Sequence, residues 1–185
     1  MLTCIKMEEI TEKIAIPEGI SCKYESRIFI CKNNSAETSR RINLPSISIE
    51  IKDNEIIFNS KKSTKNERKV INTQIKHIEN MFSGLSKKFF YKLEACNVHF
   101  PMSVKIEGGK LAISNFLGEK VPRYAKILPD VDVQIKGPVI TVESANKEAA
   151  GQTAANIEKA TVIRKRDKRI FQDGIYITQK PGDKK

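Results

Sequence analysis

The chain has 185 residues and 39% apolar content, which is enough for one ordinary domain or for two small domains with a core each. It contains no apolar run of about 18 residues and no charged leader followed by an apolar segment, so we expect no membrane span, no signal peptide and a cytoplasmic location. The formal net charge of +11 makes polyanions the first class of partner to consider.

The chain is predicted to begin with two β-hairpins. Residues 16–24 and 27–31 alternate apolar and polar side chains around a polar turn, as half-buried strands do. Residues 45–51 and 55–58 show the same alternation around Asp53-Asn54, a pair that suits the positive φ angles of a tight turn.

A helix is predicted after these hairpins. Thr64 and Glu67 have the spacing of a capping box, in which each residue satisfies a free backbone N–H of the other. Gly84 is the predicted C-terminal stop. Between these signals, apolar residues recur at helical spacing, namely Ile71, Ile75, Ile78, Phe82 and Leu85.

The second half of the chain repeats both hairpin designs. Residues 128–136 and 139–143 are interpreted as the repeat of the first hairpin, because both copies begin with an apolar residue and a proline. Residues 101–106 and 110–113 flank Gly108-Gly109 and are interpreted as the repeat of the second hairpin.

A second helix and a last strand complete this half. Ser144 is the predicted cap of a helix that runs to about residue 160 and is rich in alanine, which permits close packing. Residues 171–177 read as a strand. The organisation predicts an α+β fold of two similar domains, residues 1–86 and 87–185, that arose by internal duplication.

No catalytic or metal-binding constellation is present in the sequence. His77 and His99 lie near no recognisable nucleophile, and no phosphate-binding glycine loop occurs. The cysteines lack zinc-ligand spacing and are interpreted as small apolar side chains, with Cys22 and Cys31 placed so that they could face each other as thiols. We therefore expect no enzyme activity, cofactor, metal or small-molecule substrate.

The positive charge is confined to two segments. Residues 61–92 carry nine Lys and Arg against two Asp and Glu, and residues 145–185 carry ten against five. The rest of the chain has fourteen basic and fifteen acidic residues, so it is close to neutral. Such localisation favours a binding surface for a polyanion over a generally basic protein surface.

The densest cluster follows the second helix. Residues 164–169 hold five cations in six positions, and the apolar strand after them would tether the cluster at both ends. Arginine suits phosphate because its planar fork donates two parallel hydrogen bonds. Phe171 and Tyr176 either stack on unpaired bases or pack against the sheet, and a basic tail without structure is the alternative for the cluster itself.

Four segments in order resemble a known family. They are Asn97-Val-His-Phe-Pro-Met-Ser-Val-Lys-Ile106, Asn115-Phe-Leu-Gly-Glu-Lys120, Gly151-Gln-Thr-Ala-Ala-Asn156 and Phe171-Gln-Asp-Gly-Ile-Tyr-Ile177. They are similar to the archaeal and eukaryotic branch of the universal ribosomal protein family six of the large subunit, which eukaryotic naming calls L-nine. The resemblance implies two similar domains, each a mainly antiparallel sheet with one helix. It also implies a place on large-subunit rRNA near the translation-factor binding region and the sarcin-ricin loop.

The resemblance also implies which residues bind rRNA. In that family the second domain makes the main contacts, through the Gly-Gln-Thr-Ala-Ala segment and the basic segment before the last strand. Carried over, these contacts fall on Lys147, Gln152, Asn156, Lys159, Arg164, Lys165, Arg166, Lys168, Arg169, Gln172, Asp173, Gly174 and Tyr176. Gly151 and the nearby alanines would let the backbone approach RNA, although packing against the sheet explains the alanines equally well. Residues 32–41 depart from the family's glycine-rich turn, so its contacts are not carried over.

The sequence therefore favours a structural constituent of the large ribosomal subunit, with rRNA, neighbouring ribosomal proteins and nearby translation factors as partners. A free-standing RNA chaperone or regulator with the same surface is the alternative. The basic helix between Lys65 and Lys92 stays open, because its cations could meet RNA, a protein or only water.

Overall fold

The computed structural model describes residues 10–33, 36–44, 47–52, 54–60, 64–167 and 169–182. The chain divides into two compact units, the first ending at Ser86 and the second beginning at Lys87. Each unit contains antiparallel sheets and one long helix, so the predicted α+β class with two similar units is confirmed. No helix within the described ranges is long and apolar enough to cross a membrane.

The first unit places its strands in two three-stranded antiparallel sheets, with orders β1-β6-β5 and β2-β3-β4. In chain order its elements are β1 (Ile10–Ala15), β2 (Ser21–Glu25), β3 (Ile28–Lys32), β4 (Glu37–Arg41), β5 (Ile47–Lys52), β6 (Glu55–Ser60) and α1 (Lys65–Ser86). Its core is built from the inward-facing residues of these sheets, such as Phe29, Ile56 and Phe58, packed with the apolar face of α1.

Helix α1 forms where the capping box predicted it. The Glu67 backbone N–H donates to Thr64 Oγ1 and the Thr64 N–H donates to a Glu67 carboxylate oxygen, so both free amides are satisfied. Of the five predicted apolar positions four are buried and Ile75 is half-buried. The predicted stop at Gly84 was wrong. Gly84 is a buried residue inside the helix, which continues to Ser86.

The second unit has a three-stranded sheet of order β8-β9-β10 and a four-stranded sheet of order β11-β12-β7-β13. In chain order its elements are β7 (Phe89–Cys96), β8 (Ser103–Glu107), β9 (Lys110–Ser114), β10 (Arg123–Lys126), β11 (Asp132–Lys136), β12 (Val139–Ser144), α2 (Lys147–Ala160) and β13 (Gly174–Gln179). The turn between β8 and β9 is the predicted glycine pair, with positive φ at both Gly108 and Gly109. Asn54 likewise has positive φ, whereas Asp53 lies outside the described residues.

The two units share one strand order, which corrects the pairing of hairpins made from the sequence. By position in the sheets, hairpin β2-β3 corresponds to β8-β9, and hairpin β5-β6 corresponds to β11-β12. From the sequence, β2-β3 was matched with β11-β12, and β5-β6 with β8-β9. That matching relied on the proline at the start of each hairpin, and a proline there marks no particular position in the repeat. Strand β13 on the edge of β7 has no counterpart among the described strands of the first unit.

Helix α2 packs closely on its unit because its inner face is small. Ala150, Ala154 and Ile157 are fully buried in the core of the second unit. The cap is Asn146, whose side chain accepts from the Glu148 and Ala149 amides, and the predicted cap at Ser144 was wrong. Ser144 instead accepts from the Asn146 N–H and donates to the Asp130 carbonyl, so it fixes the approach to the helix.

Gly151 packs closely against Tyr91 of the sheet. A Cβ at this position would lie 2.9 Å from the Tyr91 hydroxyl and 3.4 Å from Tyr91 Cζ. Burial also raises the pKa of Tyr91. The absent side chain therefore makes room for Tyr91.

We expect this contact to appear as a coupling between two substitutions. In a helix interior, alanine is more favourable than glycine by about 1 kcal/mol. G151A should give none of that gain in the native background, because the new methyl meets the Tyr91 hydroxyl, and should recover it in the Y91F background. Urea unfolding of the two single variants and the double variant measures the coupling. Strictly additive effects would contradict the contact.

Candidate nucleic-acid interface

The predicted cations lie in a loop that joins α2 to β13, which we call the basic loop (residues 161–173). Its first end is anchored at Thr161, a buried residue whose Oγ1 accepts from the Ile175 N–H at 2.9 Å and donates to the Glu158 carbonyl at 3.2 Å. Ile163, two residues on, is buried in the core of the second unit. The loop therefore leaves the helix along a fixed path.

Arg123 on β10 also holds the end of the basic loop that follows α2. Its Nη1 donates to the Ala160 carbonyl at 2.9 Å and to the Val162 carbonyl at 3.4 Å. The other guanidinium nitrogens form a two-bond pair with Glu119 at 2.6 and 2.7 Å, and its Cζ lies 4.3 Å from the centroid of the Phe116 ring. This pair holds the pKa of Glu119 below its ordinary value, chiefly through the hydrogen bond from Arg123. Arg123 is thus a positioning residue for the loop.

A turn centred on Asp167 shapes the middle of the loop. Its carboxylate accepts from the Arg169 backbone N–H at 2.9 Å and from two Arg169 guanidinium nitrogens, and these bonds lower the pKa of Asp167. Its carbonyl accepts from the Ile170 and Phe171 amides. Lys165 has a φ of +59°, so the chain reverses there in the left-handed region.

The second end of the basic loop is held by a stack of side chains. The Arg166 guanidinium lies 4.8 Å from the centroid of the Phe171 ring, and that ring stacks on His99 at 4.9 Å with an interplanar angle of 27°. His99 Nδ1 lies 2.6 Å from Asp173 Oδ2. Phe171 is half-buried and packs against the core, which places it in the packing role of the two considered from the sequence.

Asp173 is the buried support of this stack. It is 3% exposed, and its carboxylate accepts from the Val98 N–H at 2.8 Å, the His99 N–H at 3.0 Å and the His99 ring. Burial raises the pKa of Asp173, but these hydrogen bonds outweigh burial and leave the pKa below its ordinary value. Its carboxylate is therefore committed to the protein, and Asp173 acts as a positioning residue.

The cations themselves point to solvent. Arg164, Lys165, Arg166 and Arg169 are all exposed, while Lys168 lies outside the described residues. Within the described ranges, Asp167 pairs with Arg169. Neither Arg164 nor Lys165 has an ion-pair or hydrogen-bond partner among the residues that the structure describes. The loop thus presents positive charge that this part of the protein does not neutralise.

The predicted residues on α2 form a separate group. Gln152 donates to Asn156 Oδ1 at 2.8 Å, and Asn156 donates to the Lys126 carbonyl at 3.1 Å, which ties the exposed face of the helix to β10. Lys159 is exposed two residues before the basic loop. Lys147 lies at the other end of the helix, with its Nζ 5.5 Å from the centroid of the Phe89 ring. A 14-residue helix is about 20 Å long, so Lys147 and the basic loop are not one compact cluster.

The last three predicted residues surround the start of β13. Gln172 is exposed and donates to the Arg169 carbonyl. Gly174 is buried with φ +155°, and a Cβ there would lie 3.2 Å from the Tyr176 ring. Tyr176 is 42% exposed, so one side of its ring remains open to solvent beside the basic loop.

Two lysines that were not predicted extend this surface. Lys126 on β10 lies directly opposite Lys110 on β9, and both are exposed. Like charges at opposed positions destabilise a strand pair unless an opposite charge lies near them, and Glu107 on β8 lies opposite Lys110. Asn156 holds the Lys126 carbonyl, so the pair borders the exposed face of α2. Lys110 lies in a strand that the sequence predicted, whereas Lys126 gave no signal because the four-residue strand β10 was not recognised.

Comparison with known proteins identifies a family with a matching sequence. Residues 100–174 match the family model described as ribosomal protein L6. The large ribosomal subunit protein uL6 of Methanosarcina mazei is 44% identical over 94% of this chain and 99% of its own length. The proteins of the same name from Methanococcus vannielii and Methanothrix thermoacetophila are 42% and 41% identical over 94% of this chain, and over 95% and 99% of their own lengths.

These similar proteins are all ribosomal proteins, which are structural components and not enzymes. The chain belongs to the ribosomal protein L6 family, because the matched relatives align with it over nearly all of both lengths. The resemblance drawn from four short segments of the sequence is confirmed.

Proposed function

We propose that the protein is a structural constituent of the large ribosomal subunit that binds large-subunit rRNA through the basic loop and the exposed face of α2. Its relatives are named as proteins of the large ribosomal subunit. The observation that carries the RNA contact is the anchored cluster of exposed cations, Arg164, Lys165, Arg166 and Arg169, with a single described carboxylate among them.

The electrostatics of the loop favour a phosphate backbone as its ligand. Closely spaced cations repel one another, and an anion placed against them removes that repulsion. Each phosphate that they neutralise releases a condensed counterion, which contributes favourably to binding. Because these side chains come from an irregular loop and not from a helix fitted to a groove, RNA shape and backbone should dominate recognition.

The α2 surface supplies a second set of contacts in this proposal. Gln152, Lys159, Lys110 and Lys126 lie on or beside the exposed face of the helix, where amide and ammonium donors suit phosphate and ribose oxygens. Tyr176 packs against Gly174 and is still 42% exposed, and we propose that its exposed part stacks on an unpaired base. Lys147 would contact a different stretch of RNA from the basic loop.

The finer placement rests on the family resemblance. We propose that the second unit is the main rRNA-binding domain, that it lies near the translation-factor binding region and the sarcin-ricin loop, and that neighbouring ribosomal proteins and translation factors are its other partners. The segments that carry the resemblance, such as residues 171–177, are those that shape the basic loop and its anchors.

Sedimentation tests assembly into the subunit. We expect the protein to travel with large subunits in stoichiometric amount at moderate salt. A free-standing chaperone or regulator would instead occur mainly in the light fractions, and that distribution would refute a structural role.

Tethered cleavage tests the placement on rRNA. Ile170 in the basic loop is 64% exposed, so a cysteine at this position in a variant without the native cysteines can carry an iron chelate that cuts nearby RNA. We expect cuts in the sarcin-ricin region. Lys136, at the end of β11 and three strands from β13, is the matched control and should give a different and weaker set of cuts. Cuts elsewhere from position 170 would overturn the placement, and an absence of cuts would overturn the RNA contact.

A further inference from the structure

Two cysteines of the first unit form a close pair across a hairpin. Cys22 on β2 and Cys31 on β3 are directly opposite each other in the strand register, and their Sγ atoms are 3.2 Å apart. Both occur in the structure as free thiols. This pair lies in the unit that does not contain the basic loop, so an inference about it is independent of the proposed function.

The register of the hairpin places the pair at a site that can be bridged. The turn between the strands has two residues, Ser26 and Arg27, both with positive φ, so the residues next to it form a hydrogen-bonded pair. Hydrogen-bonded and non-hydrogen-bonded pairs then alternate, which makes Cys22 and Cys31 a non-hydrogen-bonded pair. The Cα separation at such a pair is about 4.5 Å, and disulfides span Cα separations of about 4.4 to 6.8 Å.

The two thiols differ in access and in acidity. Cys31, on the central strand of its sheet, is fully buried in the core of the first unit, whereas Cys22, on the edge strand β2, is half-buried. The hydrogen bond between them lowers the pKa of Cys22, and the same bond together with burial raises the pKa of Cys31. Cys22 is therefore the thiol that a small reagent reaches first and the one that ionises first.

We propose that Cys22 and Cys31 form a dithiol site that peroxides oxidise to a cross-strand disulfide. In the first step the Cys22 thiolate attacks one peroxide oxygen, the O–O bond breaks, and Cys22 becomes a sulfenic acid while the other oxygen leaves as an alkoxide or hydroxide and takes up a proton. In the second step the Cys31 sulfur attacks the Cys22 sulfur, the S–O bond breaks, and water leaves with the Cys31 proton. Two thiols are thus oxidised to one disulfide. An organic peroxide is reduced to one alcohol and one water, and hydrogen peroxide to two waters.

Cys96 provides an internal comparison within the same chain. It lies at the exposed end of β7 in the second unit and has no thiol opposite it, because its register partner is Gly174. An exposed thiol without a resolving partner stops at the sulfenic acid or proceeds to higher oxides. The same oxidant should therefore give different products at the two places.

Peptide mapping of the oxidised native protein tests the site. Trypsin cleaves after Lys13, Lys23, Arg27 and Lys32, so Cys22 and Cys31 fall in separate peptides, residues 14–23 and 28–32. After brief treatment with hydrogen peroxide, followed by denaturation and alkylation, we expect these peptides to be joined and lighter by two hydrogen atoms. Alkylation of the whole chain should fall from four to two or fewer sites, and a thiol reductant should restore all four except where Cys4 or Cys96 has been over-oxidised.

Two controls keep the test decisive. The C96S variant should form the same joined peptide, whereas the C22S variant should leave Cys31 unmodified by peroxide while the fold is intact. Oxygen added at Cys22 with Cys31 still alkylated would overturn the proposal, as would a pairing of either cysteine with Cys96 or with a second molecule. Because the mapping uses the wild-type chain, its result does not depend on how well either variant folds.

Discussion

Replacing Arg164, Lys165 and Arg166 together with alanine is expected to weaken binding to a large-subunit rRNA fragment by on the order of 100-fold near physiological salt. These side chains are exposed at the start of the basic loop, and the described residues offer Arg164 and Lys165 no partner, so their charge is available to phosphate. Each lost phosphate contact should also reduce the slope of log affinity against log salt by about 0.7 to 0.9, giving a change of up to about 2 to 3.

A binding series from low to high salt measures both quantities. The matched control is the triple variant K23A, K105A and K136A, which removes the same charge from exposed strand positions that are not part of the loop. It should change the slope by much less. Unfolding midpoints of both variants confirm that the fold is retained. A triple loop variant with an unchanged slope would show that these cations do not contact RNA.

Replacing Asp173 with alanine is expected to destabilise the second unit by about 2 to 4 kcal/mol. The carboxylate is buried and accepts from two backbone amides and one ring nitrogen, and its removal leaves these donors without an acceptor. For a unit of this size the loss corresponds to a fall in Tm of roughly 10 to 25 °C. RNA affinity should fall as well, because the stack of His99, Phe171 and Arg166 loses its support.

The D173N variant separates charge from shape. It keeps an oxygen near the Val98 and His99 amides, so we expect a smaller loss than for alanine. Because hydrogen bonds keep the pKa of Asp173 below its ordinary value of 3.8, the ionised carboxylate stabilises the fold above that pH, and this contribution disappears as the pH falls through the folded-state pKa. D173N should therefore flatten the acid side of the stability profile. Equal stability of wild type and D173A at neutral pH would contradict the structural role of Asp173.

Local signals predicted the elements that depend on neighbouring residues. Thr64 and Glu67 fixed the start of α1, and Gly108-Gly109 fixed the turn between β8 and β9, because capping and tight turns are decided within four residues. Strand β7 was missed although Tyr91, Leu93 and Ala95 alternate with Lys92 and Glu94. It pairs with β12 and β13, which lie far along the chain, so no short turn marks it as part of a hairpin.

The part of the candidate site that depends on neighbouring residues was also predicted. The cations of the basic loop are dense in sequence, so Arg164 and its neighbours could be identified without a structure. The supports are distant in sequence. Asp173 meets His99 across 74 residues, and Arg123 meets Ala160 across 37. Such contacts leave no local pattern, so the supporting roles of Asp173 and Arg123 could not be predicted from the sequence. The expectation that Asp173 binds RNA came from the family resemblance.

Strand β13 returns the chain to the edge of β7 after the basic loop, so both ends of the loop are attached to the same folded unit. An unattached basic tail would have to lose its conformational freedom at the moment of binding, and that loss would subtract from affinity. Here the same ordering takes place during folding, before any ligand arrives. An added strand at a sheet edge has thereby turned a run of charges into a pre-organised surface.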